Sequence, residues 1–246
     1  MNVANFVYRG SELDLFARAV NWKRYWSAQV RPHLGQRVLE VGAGIGANTP
    51  YLNRGAAEWV CLEPDAKMAA LLAAGVKAGA IPASRTTAGT ISDLPATASF
   101  DSIVYIDVLE HIEDDAGELA LAAERLHPGG KLIMVGPAHS WLFSEFDKSI
   151  GHFRRYSPRS VRALRCSELE LISLGQLDVV GILASAANRL ALRQAMPNAE
   201  QIALWDRYMV PLSRVLDPLF FYQFGKSIMA VWRRHRPSPS RDSTMR

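Results

Sequence analysis

Val38-Leu-Glu-Val-Gly-Ala-Gly-Ile-Gly-Ala-Asn-Thr49 sets three glycines, Gly42, Gly44 and Gly46, at alternate positions behind a short apolar run. Without Cβ atoms the chain can turn tightly there and a ligand can approach the backbone closely. Glu40 lies inside the run. A second apolar run, Glu58 to Leu62, closes in Glu63-Pro64-Asp65. A carboxylate at that place can accept both hydroxyls of a ribose. The chemistry these residues suit is nucleoside binding. Read alone, the glycines fit a dinucleotide fold or a tight structural turn as well.

A second group suits proton transfer and acceptor binding. His111 follows the run Phe100–Ile106, and the stretch from Gly136 to Ser157 contains His139, Asp147, His152, Arg154, Arg155 and Tyr156. A histidine near a reacting oxygen or nitrogen can take its proton, with Asp147 as partner of one of the three. Arg154 or Arg155 can hold an anionic group with a charged fork. The competing reading is that Arg154, Arg155 and Tyr156 only brace this loop against the next helix. His111, Glu113 and Asp114 could suggest metal ligation, but an acidic helix start accounts for Glu113–Asp115, and no metal is expected.

The elements that must carry these residues alternate. Residues 1–36 read as a helical lead-in, with Trp22, Tyr25 and Trp26 at helical spacing. Strands are expected at Arg37–Val41, Trp59–Glu63, Ala78–Ala83, Phe100–Ile106, Lys131–Val135 and Asp178–Leu183. Helices are expected at Asn48–Arg54, Asp65–Ala74, Asp115–Leu126 and Ser157–Leu164, the last with Ser157 as N-cap and Pro158 at N1. This alternation predicts an α/β doubly wound sheet. Residues 184–224 are too long for an ordinary connection and read as a helical insert. Ser227–Trp232 is expected as a last, antiparallel strand, and 233–246 as a disordered basic tail. One domain over 1–232 is the expected organisation.

Val38–Thr49, Leu62–Asp65, Phe100–Ile112 and Pro128–Val135 together resemble the motif series of class I S-adenosylmethionine-dependent methyltransferases. The resemblance covers roughly Trp22 to Leu183. Asp107-Val-Leu-Glu-His-Ile112 is similar to the branch that methylates small molecules, lipids and quinones. Gly151-His-x-Arg-Arg-Tyr156 resembles one bacterial subgroup whose substrate it does not fix. The resemblance implies a Rossmann-like, mostly parallel sheet of seven strands with the last antiparallel, and S-adenosyl-L-methionine as cofactor. It implies that the Gly42–Gly46 backbone passes beneath the methionyl part and that Glu63, beside Pro64, holds the ribose. Thr90 and Ile91 would border the adenine, and Asp107 and Val108 would lie beside the sulfonium. Trp22 and Tyr25 would close over the cofactor, although simple packing of the first helix accounts for them equally.

Composition narrows the alternatives. Hydrophobic residues make up 49% of the 246, enough for one filled core, and the net charge is +4. That modest excess is divided between Lys148–Arg165 and Arg233–Arg246, a poor nucleic-acid footprint. The Asn-Pro-Pro-Tyr type motif that nucleic-acid methyltransferases carry is absent after Ile106. Cys61 and Cys166 are too few and too distant for a disulfide framework or zinc cluster. No apolar leader core or spanning run is visible, so a cytoplasmic setting is expected. The aromatic insert, with Trp205 and Tyr208 as candidate acceptor contacts, reads as a lid, a dimer surface or a peripheral membrane contact. Ordinary core packing explains most of its apolar positions. The expected function is methyl transfer to oxygen or nitrogen of a small-molecule acceptor by a monomer or homodimer. The alternatives are a glycan or lipid-linked acceptor at a membrane surface, or a non-catalytic cofactor-binding subunit.

Overall fold

The computed structural model describes residues 13–187 and 197–236. Strands β1 (Arg37–Val41), β2 (Glu58–Glu63), β3 (Arg85–Ala88), β4 (Phe100–Ile106), β5 (Leu126–Pro137), β6 (Leu169–Leu177) and β7 (Ser227–Arg234) form one sheet. Its order is β3-β2-β1-β4-β5-β7-β6. β1 to β5 pair in parallel, and β7 runs antiparallel to both β5 and β6. The expected doubly wound sheet with an antiparallel last strand is therefore present. Strand order reverses between β1 and β4, which opens a crevice beyond their C-terminal ends. The central strands are apolar on both faces because both are covered. Tyr105 and Phe100 pack into one layer, and Trp26, Trp59 and Val104 into the other. Each such fully buried side chain contributes roughly 1.5–3 kcal/mol of hydrophobic stabilisation.

Helices α1 (Leu13–Ala17) and α2 (Val20–Val30) precede the sheet, and α3 (Thr49–Leu52) follows the glycine turn. α4 (Ala66–Lys77) is capped by Asp65, whose carboxylate accepts from the Lys67 and Met68 N–H groups at 2.9 and 3.0 Å. α5 (Asp115–Glu124) starts at the Asp114 cap. α6 (Glu145–Ile150) and α7 (Pro158–Ala163) lie between β5 and β6, and Ser157 caps α7 as its sequence predicts. α8 (Val179–Ala187), α9 (Ala199–Leu204), a π turn at Trp205–Met209 and α10 (Val210–Leu219) form the insert before β7.

Several expectations need correction. The third strand is Arg85–Ala88, not Ala78–Ala83. It is a half-exposed edge strand of Arg and Thr, so it lacks an apolar signature. Ile81 instead plugs the gap above Gly46 and Gly75, with its Cδ1 2.5 Å from where a Cβ on either would stand. Asp178–Leu183 is not a strand. Asp178 adopts φ +69° and accepts from the Gly181 N–H at 3.0 Å, opening α8. The strand lies just before it at Leu169–Leu177, an outer strand whose Glu170, Ser173 and Gln176 hid it. β7 continues to Arg234, two residues into the expected tail, where Arg233 pairs with Glu170 at 2.7 Å. Core packing explains less of the insert than expected. Ile202, Trp205 and Val210 are buried, but Leu212, Val215, Leu219 and Phe221 face outward. Residues 1–12 of the lead-in, 188–196 of the insert and 237–246 of the tail lie outside the described residues. No helix among the described residues is long and apolar enough to cross a membrane.

Candidate active site

A cavity of about 550 Å³ opens at the C-terminal ends of β1, β2 and β4. Its floor is the glycine turn. Gly42 sits at φ +64°, and a Cβ there would fall 2.6 Å from Val108 Cγ2, so only glycine lets β1 approach the end of β4 this closely. The Ala43 N–H donates to the Leu62 carbonyl at 3.0 Å, tying the turn to β2. Glu63 forms one end of the cavity. Its two carboxylate oxygens accept from the Gly44 and Asp65 N–H groups at 2.7 and 2.9 Å. Burial raises its pKa, while these two bonds favour the ionised form.

Lys23, which belongs to no motif in the sequence and lies between Trp22 and Tyr25, also lines the cavity. Its ammonium donates to the Ala47 carbonyl at 3.1 Å and to Asn48 Oδ1 at 2.9 Å, clasping the far side of the turn. Burial lowers its pKa to about 8, opposed by the charges of Asp107 and Glu40. Trp22 closes one side by packing on Trp205, ring centroids 5.7 Å apart. The Trp205 indole N–H donates to Asp178 Oδ2 at 2.7 Å, and Lys226 Nζ stands 3.6 Å over its ring.

The opposite end is polar. Asp107, at φ +55°, and Val108 lead from β4 into the short turn Leu109–His111. Glu110 is fully buried there, and among the described residues no other residue gives either of its carboxyl oxygens a hydrogen bond. Burial pushes its pKa well above the usual carboxylate range, and the Asp107 charge adds to this. The loop after β5 crosses this turn, and the Phe153 N–H donates to the Glu110 carbonyl at 2.8 Å. That contact brings His152 against His111, ring centroids 4.5 Å apart and nearly perpendicular. His152 Nδ1 lies 2.9 Å from Asp147 Oδ1 and its Nε2 3.8 Å from Glu110 Oε1. Asp147 also accepts from Arg155 Nε at 2.8 Å and from the Ser144 N–H at 2.8 Å. Its burial is outweighed by the bonds from His152 and Arg155, which hold its pKa at about 2. The Asp147 carboxylate, 2.9 Å from His152 Nδ1, orients the ring so that Nε2 faces Glu110. Burial and the neighbouring His152 depress His111 to about 4, so it is neutral near pH 7.

The cavity thus gathers Trp22, Gly42, Gly44, Glu63, Asp107, Val108, His111, His152, Arg155 and Trp205, with Asp147 directly behind His152. The other candidates lie elsewhere. Glu40 is beneath the turn, accepting from Thr49 Oγ1 at 2.8 Å and Trp59 Nε1 at 2.9 Å. The space where a Cβ of Gly46 would stand holds Ile81 and Leu72. The Tyr25 hydroxyl donates to Asp217 at 2.6 Å, joining α2 to α10. Pro64 precedes the α4 cap, Thr90 caps the turn Ile91–Asp93, and Ile91 is in the core. His139 packs on Trp141 beyond the end of β5. Arg154 and Tyr156 both bond Asp115, bracing the loop to α5, and Tyr208 points outward.

Residues 39–134 match the family model described as Methyltransferase domain. The chain is 35% identical over 149 residues to the ubiquinone biosynthesis O-methyltransferase of Xylella fastidiosa (strain 9a5c), covering 52% of this chain and 59% of that one. It is 30% identical over 125 residues to the demethylmenaquinone methyltransferase of Tropheryma whipplei (strain Twist), covering 50% and 51%. The chain thus spans about half the length of that relative. Among solved structures, the N-methyltransferase NodS from Bradyrhizobium japonicum in complex with S-adenosyl-L-homocysteine is similar at a TM-score of 0.56. Its identity is 16%, and 94% of each chain is covered. Coclaurine N-methyltransferase is similar at a TM-score of 0.60 and 13% identity, over 88% of this chain and 72% of that one. These likenesses show the fold. The cofactor of such a domain is S-adenosylmethionine, and the cavity suits it. Glu63 is an acceptor-only carboxylate for a diol, and the floor at Gly42 and Gly44 lacks side chains.

Proposed function

We propose that the protein transfers a methyl group from S-adenosylmethionine to an oxygen or nitrogen of a small-molecule acceptor. The observation that carries this reading is a single cavity with two different ends. One is a glycine floor with Glu63, and the other is a polar wall of Glu110, His111 and His152. The bound cofactor supplies a methyl group activated on a sulfonium, so the protein's task is alignment. Glu63 holds the ribose hydroxyls, and Trp22 and Trp205 exclude water from one side. Asp107 and Val108 set the distance between the two ends. An acceptor O–H or N–H at the far wall meets two imidazoles that can receive its proton and a buried carboxyl that can hydrogen-bond to it. Asp147 is a positioning residue acting through His152, and Arg155 is placed to meet an anionic group on the acceptor.

The test is transfer of labelled methyl from S-adenosylmethionine into extract of the source cell, separated into small polar, lipid and polymer fractions. Label in the small polar fraction supports the reading. A second reading, a lipid-linked acceptor at a membrane surface, is favoured by the exposed Leu212, Val215, Leu219 and Phe221 beside Arg207 and Arg214. It predicts label in lipid and flotation of the protein with anionic vesicles. Cofactor binding without label in any fraction would favour a non-catalytic subunit.

A further inference from the structure

We propose that Glu110, His111 and His152 form a binding site for one divalent transition-metal cation, Zn²⁺ first among them, at the acceptor end of the cavity. The inference deepens the reading above, because that ion would meet the acceptor. Each of the three offers one ligand atom, and these atoms all lie within 4.8 Å of one another. Two imidazole nitrogens and one carboxylate oxygen are a donor set for Zn²⁺ and its first-row neighbours rather than for Mg²⁺ or Ca²⁺.

Glu110 supplies the independent observation. It is 0% exposed, and among the described residues no other residue gives either carboxyl oxygen a hydrogen bond. A buried carboxyl left so is uncommon and calls for an explanation, and a cation gives one. The gap from His152 Nε2 to Glu110 Oε1 is 3.8 Å. That is too long for a hydrogen bond, yet it is spanned by two ligands of one ion at about 2.0–2.2 Å each.

The surroundings are also those of a ligand set. A metal-binding histidine typically directs its second ring nitrogen to a carboxylate or carbonyl, which fixes its orientation. His152 does so through Nδ1 to Asp147, itself held by Arg155 and Ser144. His111 hydrogen-bonds to the Gly151 backbone. Asp147 is engaged in this supporting role and is not counted as a ligand. All three ligand residues line the cavity, so a further coordination position faces the space assigned to the acceptor. An acceptor oxygen bound there would be oriented by the ion and made more acidic by it.

The experiment uses the full chain, stripped with a chelator and dialysed, then titrated with Co²⁺ followed by its visible absorption and with Zn²⁺ in competition. The expected result is one equivalent bound with Kd of about 1 μM or tighter. Glu110→Gln and His152→Ala each weaken it by more than about a hundredfold, Asp147→Asn by roughly ten- to a hundredfold, and His127→Ala leaves it unchanged. S-adenosylhomocysteine binding, measured in the same samples, separates the two readings. If it is absent in the wild-type chain, the proposed function fails whatever the metal does. If it is retained in the variants, they are folded. If His152→Ala misfolds, the nearly isosteric Glu110→Gln decides. Absence of stoichiometric Co²⁺ or Zn²⁺ binding, or binding unaltered in Glu110→Gln, overturns the proposal.

Discussion

Glu63 and Glu110 are both buried carboxyl groups on the wall of one cavity, but their surroundings are opposite. Each oxygen of Glu63 accepts a backbone N–H, from the glycine turn and from the start of the α4 cap. Among the described residues, Glu110 accepts none from any other residue and faces two imidazoles instead. The first end is complete as folded, because its hydrogen bonds come from the same loops that shape it. The second has no such donors from the surrounding loops among the described residues. On the proposed reading, the Glu63 end recognises a constant donor and the Glu110 end an acceptor particular to each enzyme, the division that a group-transfer enzyme requires.

The comparison can be broken by substitution. The largest effect is expected for His152→Ala. It should lower turnover by about 10²- to 10⁴-fold, the size of a lost proton-transfer or binding group, while S-adenosylhomocysteine affinity by calorimetry changes less than about twofold. Equal loss of both would make the two ends one functional unit. Glu40→Ala should destabilise the fold by about 2–4 kcal/mol, because Thr49 and Trp59 lose a buried acceptor and a cavity is left. A melting temperature near that of the wild type would remove Glu40 as the support of the turn.

Asp147→Asn should cost about 2 kcal/mol near neutral pH. Its carboxyl is held below its unfolded value, at about 2. That stability is therefore present above about pH 4 and lost as pH falls toward 2. Denaturant melts of wild type and variant should differ at pH 7 and converge near pH 2, and a constant difference would contradict the assignment. Glu63→Ala should weaken cofactor binding about tenfold or more, roughly 1.4 kcal/mol, with the loss of hydrogen bonds to the ribose. Unchanged affinity in a calorimetric titration would sink the ribose role. The smallest effect is expected for Val215→Ser on the exposed face of α10, within about 0.5 kcal/mol of wild-type stability. A larger loss in equilibrium unfolding would mean that this face is covered in solution.

Legibility in the sequence followed locality. The turn of Gly42 and Gly44, Glu63 and the capped starts of α4, α5 and α7 are short-range features. Each depends on backbone geometry and neighbours within a few residues, so spacing alone exposes them. Thr90 and Gly46 were legible as motif positions, but residue identity cannot reveal that the Thr90 side chain caps a turn or that Ile81 and Leu72 fill the space beside Gly46. Lys23 went unseen because a lysine between two aromatic residues on a helix reads as a solvated face. Its burial depends on the glycine turn folding over it. The outer strand β3 has no large apolar residue, and β6 breaks its leucines with Glu170, Ser173 and Gln176 on a partly exposed surface, so hydrophobic patterning had little to register.

The sequence by itself determined the alternating α/β order, the antiparallel last strand and the glycine turn with Glu63 to which nucleoside binding is assigned by proposal, since those are written in periodicity and in turns of a few residues. Only the tertiary structure decided that Glu110, His111 and His152 share one wall. They come from two segments some forty residues apart, and it is the Phe153–Glu110 backbone bond and the Asp147 anchor that bring them together. Long-range contacts of this kind have no period or spacing along the chain. They exist only once the sheet has placed the end of β4 beneath the loop that follows β5.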